Sequence, residues 1–272
     1  MKMKRVVLFV LIGILVLLAL LAFAGNYFYA YSLTPRRGER APGVPDAEYE
    51  SAAEPWTDRG ALAWLDASAY DVWIESGDGL RLRTHRVDAD TGRYTILAHG
   101  YTANGRSMAA FGKRFYDMGF TVLMPDLRGH GQSEGHYIGM GWHDRLDMLR
   151  WIDEIVKEDP DAEILLFGIS MGGATVMMTA GEALPPNVKA IVQDCGYTSV
   201  WDEFSGQMKE QFGLPPFPMM HAASVITKLR AGYWLSEANA VRQVAKSNTP
   251  ILLIHGEEDA FVPFWMLDVL YQ

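Results

Sequence analysis

Gly168-Ile169-Ser170-Met171-Gly172 puts a serine between two glycines, directly after the short apolar run Glu163–Phe167 and directly before a stretch with helical spacing. Small neighbours let a serine sit in a tight strand-to-helix turn, in strained backbone geometry with its Oγ exposed, and the helix behind it offers its positive end to developing negative charge. The chemistry that uses this arrangement is acyl transfer, with Ser170 attacking a carbonyl carbon. The plainer alternative is a glycine-rich turn whose serine caps a helix. Acyl transfer also needs two backbone N–H groups aimed at the oxyanion, one just after the nucleophile and one from the loop after an earlier strand. Met171 stands in the first place. Tyr101, in His99-Gly100-Tyr101-Thr102 after the run Tyr94–Ala98, stands in the second, and His99 reads as a structural histidine at a strand end.

His99-Gly100, Asp126-Leu127-Arg128-Gly129-His130-Gly131-Gln132-Ser133, Gly168-Ile169-Ser170-Met171-Gly172-Gly173 and His255-Gly256-Glu257-Glu258-Asp259 follow one another in the order seen in the α/β-hydrolase superfamily. From about Tyr70 onward the chain resembles the membrane-anchored bacterial hydrolases grouped with serine aminopeptidase and lysophospholipase-like members. The resemblance implies that Asp126–Ser133 is a structural turn whose Arg and His do not react. It also implies a triad acid after a late strand, in the chain order Ser, acid, His. Asp259, four residues after His255, fits that position; Asp194, at the end of the run Val188–Gln193, is the alternative, and either could be a solvated strand-end carboxylate.

The base is harder to find. A histidine after Asp259 would require a helix, a strand and two connections, about 25 residues of chain. Thirteen residues follow Asp259 and none is histidine, so the expectation is a chain that stops before its last strand, last helix and catalytic histidine. His85, His130, His136 and His143 precede the nucleophile, His255 braces its turn, and His221 is the one internal candidate, because a lid can fold over a site. No cofactor is implied: there is no phosphate-binding G-x-x-x-x-G-K-[ST], no H-E-x-x-H, and Gly129-His130-Gly131 lacks the third glycine of a dinucleotide fingerprint. A metal at His130, His136 and His143 is not expected, their context suiting exposure or capping better. A lone cysteine, Cys195, excludes an intramolecular disulfide.

Positioning these residues takes an α/β domain. Brief apolar runs at Tyr94–Ala98, Phe120–Met124, Glu163–Phe167, Val188–Gln193 and Ile251–Ile254 read as buried strands, and Ser107–Met118, Trp142–Glu158 and Gly172–Ala183 have helical spacing between them. Alternation of this kind predicts a mostly parallel sheet with helices on both faces and ligands at the carboxyl ends of the strands. Tyr70–Glu75 and Leu80–Val87, joined at Gly77-Asp78-Gly79, predict an N-terminal β-hairpin, and Ala61–Ala69 a short helix. Residues 197–235 hold no clear strand and read as a helical lid insertion.

Ahead of this domain, Val6–Ala24 is nineteen residues without a polar side chain, roughly 28 Å as a helix and so long enough to cross a bilayer. Lys2, Lys4 and Arg5 would hold the N-terminus inside and export everything after Gly25, with Tyr27, Phe28, Tyr29 and Tyr31 as an interfacial aromatic belt. A signal peptide cleaved after Ala22-Phe23-Ala24 is the competing expectation. The domain division is therefore 1–25 anchor or signal, 26–60 proline-containing spacer, and 61–272 hydrolase domain. Without the three leading basic residues the chain has 21 Lys and Arg against 33 Asp and Glu, a net of −12 that disfavours nucleic acid as a partner. The functional expectation is a membrane-anchored serine hydrolase acting on a small-molecule ester or peptide substrate; the alternative is a non-catalytic binding protein on the same fold.

Overall fold

The computed structural model describes residues 2–35 and 58–272. Its sheet has seven strands: β1 (Tyr70–Glu75), β2 (Arg81–Val87), β3 (Arg93–Ala98), β4 (Thr121–Pro125), β5 (Glu163–Ile169), β6 (Val188–Asp194) and β7 (Ile251–Ile254). They lie in the order β1-β2-β4-β3-β5-β6-β7. The hairpin and its join to β4 are antiparallel, and the other four pairings are parallel. The helices are α1 (Lys2–Leu33), α2 (Arg59–Ser68), α3 (Ala109–Asp117), α4 (Asp144–Glu158), α5 (Met171–Ala180), α6 (Val200–Phe212), α7 (Met219–Ala231), α8 (Ala240–Val244) and α9 (Trp265–Tyr271). Every strand and every long helix expected within the domain is present, with ends shifted by up to three residues.

Alternation along the strands sorts the core onto two faces. Ile96, Leu123, Ile164 and Ile191 pack on the side of α4 and α5, whereas Leu97, Val122, Met124 and Phe167 pack on the side of α2 and α3. All ten residues of α5 are buried, which explains why this helix shows no polar face in the sequence. β4 lies on one side of β3 and β5 on the other, so the chain changes direction across the sheet at β3. A crevice opens at the carboxyl ends of strands where such a switch occurs.

The insertion after β6 folds as two helices. α6 starts at Ser199, whose Oγ accepts from Asp202 N–H at 3.0 Å, and ends at Gly213 with φ of 64°. α7 ends at Gly232 with φ of 83°. Both glycines take the left-handed conformation that stops a helix cheaply. A short antiparallel bridge between Ser199 and Asn239 ties the two ends of this cap together.

At 32 residues, α1 is about 48 Å long. It is long and apolar enough to cross a membrane, and its side chains from Val6 to Leu20 stand exposed. Its end departs from expectation. Residues 26–33, assigned to the spacer, continue the helix, and the aromatic belt is mostly drawn into the protein. Tyr29 is only 5% exposed, Phe28 and Tyr31 meet the Phe212 ring edge-on, and only Tyr27 of the four stays largely open. Aromatic residues near the end of an apolar helix can serve lipid headgroups or a protein surface equally well, and here the cap provides the surface. The rest of the expected spacer, residues 36–57, lies outside the described residues.

Candidate active site

Ser170 occupies the turn between β5 and α5 with φ of 54° and ψ of −116°, a conformation costly for a residue with a side chain. The neighbours make the turn possible. A Cβ on Gly168 would lie 2.1 Å from the Gly172 carbonyl oxygen, and one on Gly172 would lie 2.0 Å from that of Ala98. Strand, turn and helix therefore pack at a separation only glycine allows. The Ser170 N–H donates to the Asp194 carbonyl at 2.8 Å, but the side chain makes no capping bond to the helix, contrary to the helix-cap alternative.

β3, β5, β6 and β7 are neighbours in the sheet, so the segments that follow them share one edge. Ile169 is in register with Asp194, and Asp194 with Ile254. The loop after β3 comes against the Ser170 turn, where a Cβ on Gly100 would sit 3.7 Å from that of Ser170. Tyr101 and Met171 line the same cavity as Ser170. Asp194 ends β6, and burial raises its carboxyl above the usual range, with His255 acting the other way. In the loop after β7, Asp259 accepts from the Phe261 and Val262 N–H groups at 2.9 Å through Oδ1, and its Oδ2 lies 3.8 Å from His255 Nε2.

The cavity has a volume of about 430 Å³, within the range for small-molecule sites, and its lining is mostly apolar. α6 and α7 cover it with Phe204, Met208, Phe212 and Met220. Two contributors have no counterpart in the sequence reading. One is the end of α1, present through Phe28, Ser32 and Leu33. The other is Glu203, which is 3% exposed and held uncharged to about pH 8 by burial against the pull of Gln207; its Oε2 has no partner. Glu203 follows a helix-capping serine and carries no local signal, so only the fold reveals it.

No histidine lines this cavity among the described residues. His99 is fully buried, accepts from Leu127 N–H at 3.0 Å through Nε2 and meets the Gly100 carbonyl at 2.7 Å through Nδ1. Desolvation pushes it down to about 4. His130 packs edge-on against His99 and falls to about 3 for the same reason. His255 has its Nε2 2.7 Å from the Val262 carbonyl oxygen, a contact that braces the turn. His221 is exposed on the cap, between Trp201 and Phe217. Among the described residues no three candidate ligands stand together as a metal site.

Arg128 and His130 both have structural duties, as the resemblance implies. The Arg128 guanidinium donates to Asp147 through two bonds of 2.7 Å and to Asp78 at 3.0 and 3.1 Å. Asp126 accepts from Gly105 and Gln132 N–H groups, and Ser133 donates to the Asp126 carbonyl.

Residues 91–235 match the family model described as serine aminopeptidase, S33. Among curated proteins the chain is 26% identical over 189 residues to YqkD of Bacillus subtilis, covering 69% of this chain and 62% of that protein's length. It is 34% identical over 114 residues to mouse monoglyceride lipase, covering 40% of this chain and 33% of the lipase. A zebrafish lysophosphatidylserine lipase is 24% identical over 79% of this chain and 54% of its own length. Of solved structures, the Pyrococcus furiosus esterase Pf2001 superimposes with a TM-score of 0.62 at 22% identity, covering 77% of this chain and 79% of the esterase. That likeness concerns the fold.

Proposed function

The chain belongs to the serine aminopeptidase S33 family and has the α/β-hydrolase fold, and from that premise we propose that it is a serine hydrolase that cleaves an ester or amide bond through an acyl-enzyme on Ser170. The observation that carries this reading is the strained Ser170 backbone, with its hydroxyl unused in capping and directed to an apolar cavity. Strain of this kind persists only where the surrounding structure enforces it, and it concentrates at functional residues. Tyr101 and Met171 N–H groups would hold the oxyanion, and Asp259 would orient the base, with Asp194 as the alternative acid. Water then releases the acyl group. The apolar lining suits an acyl chain, in keeping with the names of the mouse and zebrafish lipases.

Prolonged exposure to diisopropyl fluorophosphate, followed by peptide mass spectrometry, tests the nucleophile. The expected adduct is on Ser170 and disappears in Ser170→Ala, because no other atom in that turn can form the bond. An adduct on another residue, unchanged by the substitution, would sink the reading.

A second reading is favoured by one observation, the lack of a histidine on the cavity wall among the described residues. Under it the protein binds acyl compounds from its membrane position without turning them over. Saturable binding of an ester that is recovered intact after prolonged incubation would separate it from the first.

In either case α1 is read as a single membrane crossing that leaves the domain on the extracytoplasmic side, or as a signal segment that is cleaved. This orientation takes Lys2, Lys4 and Arg5, which lie immediately before the apolar span, over Arg36, Arg37 and Arg40, which stand twelve or more residues beyond Ala24. Protease added to intact spheroplasts is expected to digest the domain; protection until the membrane is lysed would refute the orientation.

A further inference from the structure

A helix that serves only as an anchor needs no contact with the domain it carries, and the end of α1 makes many. At Gly25 it touches α7 backbone to backbone, since a Cβ there would lie 2.6 Å from the Ala222 carbonyl oxygen. Asn26 Oδ1 accepts from Arg230 at 2.8 Å, and the Arg230 guanidinium lies 4.9 Å over the Tyr29 ring. A helix end leaves its last carbonyls without partners inside the helix. Here the domain supplies donors: Ile138 N–H reaches the Leu33 carbonyl at 2.8 Å, and the Tyr101 hydroxyl reaches that of Ser32 at 2.7 Å. Tyr29 and Leu33 are part of the same core as the sheet.

These attachments place the end of α1 on the cavity that holds Ser170. Phe28, Ser32 and Leu33 form one side, α6 contributes another, and the two sides meet where the Phe28 and Phe212 rings touch edge-on at 5.3 Å between centroids. The 430 Å³ space is of the size that takes a small-molecule ligand, and its lining is mostly apolar. A wall of packed aromatic rings on an apolar cavity can limit the length of what enters it.

We propose that the last two turns of α1 are a wall of the acyl-binding site, and that the Phe28–Phe212 contact sets the length of the unbranched acyl chain the site accepts. The identity of the ligand as an acyl chain rests on the reading of Ser170 as an acyl-transfer nucleophile; the wall does not. Phe28 and Phe212 are thus specificity-determining residues. Signal cleavage after Ala24 would leave this wall in place, so the inference holds for an anchored or a processed chain.

The test uses the full chain with Ser170→Ala, reconstituted in lipid nanodiscs, and a diazirine-bearing fatty acid as photoaffinity probe. Labelling of the α6 peptide is competed with saturated fatty acids graded from octanoate to stearate. Phe28→Ala is expected to move the best competitor to longer chains, each further methylene accommodated tightening binding about fourfold. Phe28→Trp is expected to move it to shorter ones. Gly25→Leu, which forces α1 away from Ala222, is expected to lose most of the competable labelling, whereas Gly13→Leu, in open space on the same helix, is not. Near-ultraviolet circular dichroism establishes that each variant is folded, and the Phe28 pair stands as the test should Gly25→Leu fail to fold. An unmoved length profile in both Phe28 variants, or no competable labelling in the parent chain, would overturn the proposal. Failure of the hydrolase reading shows separately, as no fluorophosphonate adduct on Ser170 in the unsubstituted protein, and leaves the length profile intact.

Discussion

Purified as these 272 residues, the protein is expected to turn over p-nitrophenyl acetate about 10⁴-fold or more slowly than a serine hydrolase with a complete triad, and Ser170→Ala is expected to remove most of the remainder. A serine hydroxyl is a weak nucleophile until a base takes its proton. None of the seven histidines lines the cavity, and most are engaged elsewhere. Both His99 nitrogens are in hydrogen-bonding contacts, His143 Nδ1 meets the Tyr137 hydroxyl at 2.6 Å, and His85 sits beside Arg83 on β2. His255 Nε2 lies 3.8 Å from Asp259 Oδ2, yet its side chain is fully buried and its Nε2 faces the Val262 carbonyl. Under the proposed mechanism the Tyr101 and Met171 N–H groups would still hold the oxyanion, which is why some Ser170-dependent turnover is expected to survive. Steady-state kinetics on both proteins checks the result. Full activity that depends on Ser170 would point to an internal base, and His221→Ala would be the next variant, since a movement of the cap could bring that exposed ring inward.

The largest expected effect on stability comes from Arg128→Ala, a loss of about 3–5 kcal/mol measured by denaturant unfolding. Arg128 is 2% exposed and its partner Asp147 is 3% exposed, so truncation leaves a carboxylate in a dry interior without its counter-charge. Asp144 suffers as well. It is fully buried, its Oδ1 has no partner, and burial already raises it to about 7 with Arg128 as the main opposing influence. The Asp78 contact contributes less, because that side chain is 55% exposed and screened by solvent. Arg128→Met, combined with Asp147→Leu, is expected to recover much of the loss by replacing the ion pair with apolar packing. If Arg128→Ala costs less than about 1 kcal/mol, the cluster is not the brace that its geometry indicates.

The Arg128 cluster illustrates where reading the sequence stops. Asp126–Ser133 is recognisable as a turn, but Asp78 is fifty residues away on the hairpin and Asp147 nineteen away on α4, and nothing local announces either partnership. Similarly, the pairing of Tyr101 with Ser32 spans 69 positions and that of Arg230 with Asn26 spans 204.

What the amino-acid sequence determined by itself is what short-range physics controls. Steric limits at Gly168 and Gly172 fix the Ser170 turn within five residues, period-two and period-3.6 patterns mark the strands and helices, and the 19-residue apolar span identifies α1. Tertiary structure alone decided the order β4-β3-β5, which sets the Tyr101 loop beside Ser170, and the burial of Glu203 that keeps its carboxyl uncharged. It also decided that Phe28, Tyr29, Tyr31, Ser32 and Leu33 line the cavity. The physical reason is that a side chain's dielectric surroundings and distant partners depend on which surfaces the whole chain brings together. An apolar or aromatic residue carries the same hydrophobic driving force toward any of those surfaces.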